Sequence, residues 1–295
     1  MTSHFLKILS VVFPVFCIIG LGFFFARFKK LSLEPIVEVL LYLTIPALVI
    51  SSLSKKQLVV SDLVTVSIAA LIVVLGTGGL AWVYLAVIKR RDLRGFYLPT
   101  MFMNSGNMSF PLAILAFGSA GLTVAVLYYL AISLLVYSLG IYIAKGRDGF
   151  AEMFKLPLIY ASVIGIALNL ADIHLPGPVV NTVDMLGAAT IPMMQISLGY
   201  RLHSAQMKDA GISIAGSLIR IVGGFLIAWG AVELMGIEGL NRKIILLSST
   251  MPSAAINFVV SHKYKLQSDL VASIVAMSTA LSIVSTTALL LWIMD

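Results

Sequence analysis

Thr44-Ile45-Pro46-Ala47-Leu48-Val49-Ile50-Ser51 returns 146 residues later as Thr190-Ile191-Pro192-Met193-Met194-Gln195-Ile196-Ser197, with five of the eight positions identical. Each copy lies in an apolar stretch of bilayer-spanning length, so the repeated unit is a set of membrane segments. The same offset pairs Glu38 with Asp184, two acids in otherwise apolar surroundings. A further proline pair, Pro111 and Pro252, falls in corresponding segments of the two halves. One such match could arise by chance. Two proline pairs, an acid pair and a matching segment count are harder to dismiss.

Composition points the same way. The 295 residues are 60% hydrophobic and 11% charged, against roughly 25% charged in a soluble domain. No polar stretch longer than about 15 residues separates the apolar ones, which excludes a soluble domain. Low-complexity tracts and charged tails are missing, which excludes a disordered chain. The net charge of +7 sits in short loops between apolar segments, where it sets orientation and does not signal a nucleic-acid partner. Cys17 is the sole cysteine, so no intrachain disulfide forms. The first apolar run ends in Arg27, Lys29 and Lys30 without a small-residue cleavage site, and reads as a first span, not a signal peptide.

Ten candidate spans follow, at residues 5–26, 33–52, 62–88, 96–118, 122–144, 156–172, 178–200, 210–235, 242–261 and 268–293. Fourteen of the twenty Lys and Arg fall on one face of this arrangement, five on the other, and Arg220 lies within a span. The positive-inside rule makes the rich face cytoplasmic. Both termini are then extracytoplasmic and the loop 145–155 is cytoplasmic. The expected fold is an all-α polytopic protein of the cell membrane: two five-helix repeats, 1–147 and 148–295. Five is odd, so the second repeat enters from the opposite side, and inverted repeats are a device of secondary transporters.

The fourth span carries Asn104-Ser105-Gly106-Asn107-Met108-Ser109-Phe110-Pro111; the ninth carries Ser248-Ser249-Thr250-Met251-Pro252-Ser253-Ala254-Ala255-Ile256-Asn257. An internal proline removes a backbone donor and clashes with the carbonyl four residues back. In lipid the freed carbonyls need other partners. The small polar residues around both prolines suit an unwound segment lining a wet cavity, with half-helix amides aimed at an anion; ordinary proline kinks are the alternative. Pro46 and Pro192 lack polar company and are expected to be kinks. Arg220 lies about ten residues into the eighth span, about 15 Å deep and near the midplane. At that depth an arginine is either a partner for an anionic substrate or a structural group bonded to helix carbonyls or an acid. Glu38 and Asp184 are read as interfacial acids or as coupling groups for H+ or Na+. His4, His174, His203 and His262 fall at loops or span ends without metal-ligand spacing. Phosphate-binding loops and nucleophile elbows are missing as well, so machinery for ATP-driven pumping or hydrolysis is not seen.

Several of these stretches resemble the auxin efflux carrier family, within the bile/arsenite/riboflavin transporter superfamily. They are Gly20-Leu21-Gly22 before the basic loop, the segment from Tyr42 to Leu48, Asn104-Ser105-Gly106-Asn107 with Pro111-Leu112 and Phe117-Gly118, Leu175-Pro176-Gly177-Pro178, Ile191-Pro192 with Leu198-Gly199, and Met251-Pro252-Ser253-Ala254 with Lys263-Tyr264. Each is short; their order along the whole chain carries the resemblance. It implies a scaffold of helices 1, 2, 6 and 7 that forms a homodimer, and a transport domain of helices 3–5 and 8–10 in which helices 4 and 9 cross at their prolines. It further implies a substrate carboxylate at that crossing, with Asn104 matching the family's fourth-helix asparagine. The short loop 145–155 departs from the plant carriers and is similar to prokaryotic members, for which malate-like dicarboxylates are a usual assignment.

The expected function is therefore a secondary carrier of a small organic anion, a dicarboxylate or auxin-like acid, working by alternating access. The candidate substrate-binding residues are Asn104, Ser105, Asn107, Pro111, Arg220, Ser249, Thr250, Pro252 and Asn257. A sodium-coupled symporter of the bile-acid type is the rival within transport, with Ser248, Ser249, Thr250 and Asn257 as partial ligands. A membrane-embedded enzyme is the rival from another class and would need a cluster of acids or histidines. Neither metal nor cofactor is expected; the partners are the organic anion, the lipid bilayer and a second copy of the chain.

Overall fold

A computed structural model of the chain describes residues 2–55, 60–146, 154–204 and 207–294. The loop 145–155 and the repeat boundary at 147 and 148 fall largely or wholly outside those residues. Within them every regular element is helical. In chain order these are α1 (Thr2–Phe28), α2 (Glu34–Ser54), α3 (Val60–Val87), α4 (Tyr97–Met101), α5 (Ser109–Lys145), α6 (Pro157–Leu170), α7 (Gly177–His203), α8 (Ala210–Leu234), α9 (Gly239–Ser249), α10 (Ile256–Lys263) and α11 (Ser268–Ile293).

Six of these helices, α1, α2, α3, α5, α8 and α11, are long and apolar enough to cross a bilayer on length and composition alone. Their outward residues are apolar too: Phe13, Leu21, Phe24, Trp82, Val87 and Val284 are all exposed. Apolar surface on that scale belongs in lipid. All ten stretches expected to span coincide with helix, and two of them, 96–118 and 242–261, are interrupted. The fourth and fifth stretches run into one another through α5, whose only non-helical residue is Gly118 (φ 69°, ψ −163°). That conformation is open to glycine and strained for other residues, so the chain can turn there without a loop.

Among the described residues three π-turns interrupt the ladders, at Leu40–Thr44 in α2, Val136–Gly140 in α5 and Ile219–Gly223 in α8. The first immediately precedes Pro46 and absorbs the register change that the missing amide imposes. Pro192, its repeat partner, lies inside the continuous α7. The two copies of the repeated sequence thus differ locally.

Helices pack in lipid through small residues and hydroxyl bonds, because burial of apolar surface gives no advantage there. α1 and α7 approach most closely at two glycines. A Cβ placed on Gly199 would collide with the Ile19 carbonyl, and one on Gly22 with the Ile196 backbone. α7 also packs on α2, and α2 on α6; α3 packs on α5 and α8, and α11 on α8 and α10. Between α8 and α11, Ser213 Oγ donates to Ser273 Oγ at 2.8 Å, and Ser217 Oγ one turn on donates to the Ile274 carbonyl at 3.4 Å.

Gly199→Ala should wedge α1 from α7 and lower the stability of the purified protein by about 1–3 kcal/mol, read as a lower melting temperature. Gly20→Ala, at a position with nothing within 4 Å of the added carbon, should leave it unchanged or slightly raised. Equal melting temperatures for the two variants would mean that the α1–α7 contact is loose.

Candidate functional site

The unwound stretches 102–108 and 250–255 meet each other. Met103 and Ser253 form an antiparallel bridge. On either side, Asn104 N–H donates to the Pro252 carbonyl at 2.7 Å and Ala254 N–H donates to the Phe102 carbonyl at 3.1 Å. Backbone that has left a helix inside a membrane must find partners within the protein. Here the two broken segments supply them to one another. Asn257 Nδ2 adds bonds to the Phe102 carbonyl at 2.8 Å and to Ser253 Oγ at 3.0 Å. Asn104 Oδ1 accepts the Asn107 amide at 3.1 Å, which shapes the turn into α5.

The proline positions differ from each other. Pro252 lies in the break, where its carbonyl is the acceptor for Asn104. Pro111 is a correction to the sequence reading: it is the third residue of α5, and the break lies upstream at 102–108. A first-turn amide has no intrahelical partner, so a proline there disturbs nothing.

Arg220 is wholly buried. Its Nη1 donates to the carbonyls of Thr100 and Met101, both at 2.9 Å, and its Nη2 to the carbonyl of Ser249 at 2.8 Å. Met101 ends α4 and Ser249 ends α9. Terminal carbonyls of a helix lack internal partners and carry partial negative charge. One guanidinium therefore caps both half-helices where they stop. The room for it comes from Gly224, where a Cβ would strike the guanidinium and the Ser249 carbonyl. Of the two sequence readings of Arg220, these hydrogen bonds are those of the carbonyl-bonded one.

A cavity of about 460 Å³ lies against the crossing. Asn104, Ser105, Gly106 and Asn107 line it from the first break, Ala254, Ala255 and Ile256 from the second. Asn107, just before α5, and Ile256, the first residue of α10, thus border it, whereas the first turn of α5, Ser109 to Leu112, does not. Asn104 is 3% exposed, and its Nδ2 has no hydrogen-bond partner. The opposite wall is α7, through Met194, Ser197, Leu198 and Arg201, with Tyr42 and Ile45 of α2 and Tyr129, Ser133 and Tyr137 of α5 beside it. Asn107 Nδ2 reaches across to the Met194 carbonyl at 3.4 Å. Lys155, Lys263 and Tyr264 also line the cavity. Tyr200 ties the end of α7 to the basic loop after α1, accepting from Leu31 N–H at 2.6 Å.

The site residues expected from sequence thus divide. Asn104, Ser105 and Asn107 line the cavity; Pro252 and Asn257 stand directly behind it, holding its floor. Pro111, Ser249, Thr250 and Arg220 do not line it. The hydroxyls considered for sodium are engaged with the protein: Ser249 Oγ with Tyr128 hydroxyl at 2.8 Å, Ser248 Oγ with Ser109 Oγ at 2.7 Å, Thr250 Oγ1 with the Leu246 carbonyl at 2.8 Å. The acid pair is outside the cavity as well. Glu38 is exposed on α2; Asp184 accepts from Ser51 Oγ at 2.6 Å and pairs with Lys55. Arg201 and Tyr129 were not singled out from sequence. The available signal was helical spacing, since Met194, Ser197, Leu198 and Arg201 share one face of α7, but nothing in the sequence says which face meets the cavity.

A family model described as membrane transport protein matches residues 150–290. An uncharacterized transporter of Methanothermobacter thermautotrophicus is 30% identical over 262 residues, covering 84% of this chain and 85% of that protein. An uncharacterized transporter of Methanocaldococcus jannaschii is 27% identical over 293 residues, covering 93% of this chain and 95% of that protein.

Arg220→Met would strand three buried carbonyls, each worth about 1–3 kcal/mol when unsatisfied. We expect a large fall in melting temperature or in the yield of monodisperse protein, with Arg220→Lys recovering part because one ammonium cannot reproduce the fork. A variant as stable as the parent would show that the carbonyls have other partners.

Proposed function

The chain belongs to the auxin efflux carrier family of membrane transport proteins, and on that premise we propose that it is a secondary carrier of small organic anions working by alternating access. The observation that carries this reading is the crossing itself: two interrupted helices paired through Met103 and Ser253, with a cavity of about 460 Å³ beside them. A non-transporting protein has little use for two helices broken at one point in lipid, where every freed backbone group needs a partner. The volume suits a small metabolite.

In this reading the halves 1–147 and 148–295 are inverted repeats, as the recurrence of Thr44–Ser51 at Thr190–Ser197 and the two interrupted helices support. The basic face is cytoplasmic and both termini are extracytoplasmic in the cell membrane. The cavity, bordered by Lys155, Arg201 and Lys263, is then open toward the cytoplasm. α1, α2, α6 and α7 act as scaffold and as the contact between two copies; the remaining helices carry the crossing. A carboxylate sits against Asn104 Nδ2 beside the N-terminal end of α10, whose partial positive charge favours an anion. Ser105 and Asn107 complete the lining. Arg220, Pro252, Asn257, Ser249 and Thr250 hold the crossing in shape without touching the substrate.

Two measurements check this. Asn104→Ala should weaken carboxylate binding by about 1–3 kcal/mol, roughly 5- to 150-fold, with a modest fall in ligand-free melting temperature because the Asn107 amide loses its acceptor; normal uptake in proteoliposomes by this variant would refute the site. For orientation, cysteines at Lys30 and His174 in a Cys17→Ala background should differ in intact cells, the first protected from impermeant thiol reagents and the second labelled. The reverse pattern inverts the topology.

A further inference from the structure

We infer that Arg201 is the specificity-determining cation of the cavity, recognising a second negative group on the substrate about two helical turns from the first. This rests on the carrier reading above. Arg201 is half-buried near the end of α7 and lines both the main cavity and a neighbouring one of about 230 Å³. Among the described residues no hydrogen bond or ion pair engages its guanidinium. Other arginines show what such a group normally does: Arg220 binds three carbonyls, Arg90 pairs with Asp92 and Arg242 with Glu233. A half-buried guanidinium with five donors and no acceptor is an incomplete arrangement.

The surroundings do not complete it. Among the described residues no aspartate or glutamate lines the main cavity. Asp269 lines the smaller one but is held by Lys208. Lys263 borders the main cavity as well, so the field there is positive.

Position on α7 then separates two anion-binding points. Asn107 meets α7 at the Met194 carbonyl. Arg201 lies seven residues farther along the same helical face, about 10 Å at 1.5 Å per residue. The unpartnered Nδ2 of the 3%-exposed Asn104 marks one point; the guanidinium of Arg201, which lines the same cavity, marks the other. A single carboxylate satisfies only one. A compact diacid satisfies both, and a planar guanidinium binds the second carboxylate through two parallel bonds.

The test uses the purified full chain and proteoliposomes, with malonate, succinate and glutarate as diacids and butyrate as the monoacid of succinate's chain length. Apparent affinities come from the ligand dependence of the melting temperature, and uptake of labelled succinate provides the second readout. Wild type should prefer at least one diacid to butyrate. Arg201→Gln should lose that preference, its diacid affinity falling at least tenfold toward that of butyrate while butyrate affinity is unchanged. Arg201→Lys should fall between. Should Arg201→Gln fail to fold, Arg201→Lys and the wild-type preference remain as tests, because loss of the two-bond fork alone should still weaken diacid binding. Wild type that binds butyrate as well as every diacid, or Arg201→Gln that keeps the diacid preference, overturns the role of Arg201 and leaves the carrier reading standing. Wild type that binds none of the four overturns both.

Discussion

The structure depends on one constraint: a helix that stops inside a membrane must have its last carbonyls and first amides satisfied by protein. This chain stops two helices at the same place and solves both problems with few groups. Arg220 takes the carbonyl ends of α4 and α9, at Thr100, Met101 and Ser249. The unwound segments between take one another through the Met103–Ser253 bridge. What is left is the amide end of α10, where Ile256 borders the cavity; at the start of α5 the Phe110 and Leu112 amides are taken by the Gly106 and Met108 carbonyls. Positive charge is fixed on the carbonyl side, and partial positive charge is left available on the amide side. In the carrier reading that division favours an anion beside the crossing, where among the described lining residues there is no carboxylate.

Two arginines within twenty residues show how context decides the use of the same side chain. Arg220 is sealed in the interior, with both Nη groups held by carbonyls. Its charge is neutralised by dipoles of the protein, so little of it reaches a ligand beyond them. Arg201 is half-buried beside a cavity that no acid lines among the described residues. Coulomb energy between two charges scales inversely with the local dielectric, so a partly desolvated, unneutralised guanidinium acts on an entering anion far more strongly than an exposed loop lysine. The deeper arginine looks the more functional in the sequence, and the shallower one is better placed to meet a ligand.

Much of this was legible in the residues, and the reasons for the remainder are physical. The ten helical stretches follow from hydropathy because lipid leaves no other way to satisfy the backbone. The two interruptions follow from small polar residues and proline together. Their exact position does not: Pro111 announces only its own missing amide, and a helix hides that most cheaply in its first turn, so the break lies upstream at 102–108. The partners of Arg220 are carbonyls about 120 and 29 positions away, and a backbone carbonyl has no signature in a side-chain code. Arg201 was hidden by the rule that oriented the chain. Counting cations at span ends treats each as a topology signal, and the count cannot tell one that faces headgroups from one that turns inward.

The same bonds limit how a substrate could be passed across. Opening the crossing would separate Asn104 from Pro252 and Ala254 from Phe102, and would pull Arg220 from carbonyls on two different helices. In a low-dielectric interior those losses are not replaced by water. Across the cavity the situation differs. The polar contact between the α5 side and α7 is the 3.4 Å bond from Asn107 to the Met194 carbonyl, and the surrounding wall of Tyr42, Ile45, Met194 and Leu198 is mainly apolar. Apolar surfaces can slide and re-form equivalent contacts, whereas a hydrogen-bonded crossing cannot. In the carrier reading, motion that keeps α4, α5, α8, α9 and α10 together and shifts them along α2 and α7 therefore meets the lower barrier, although it must part Thr123 Oγ1 of α5 from the Ser52 carbonyl of α2, and it carries the cavity floor with it as one piece.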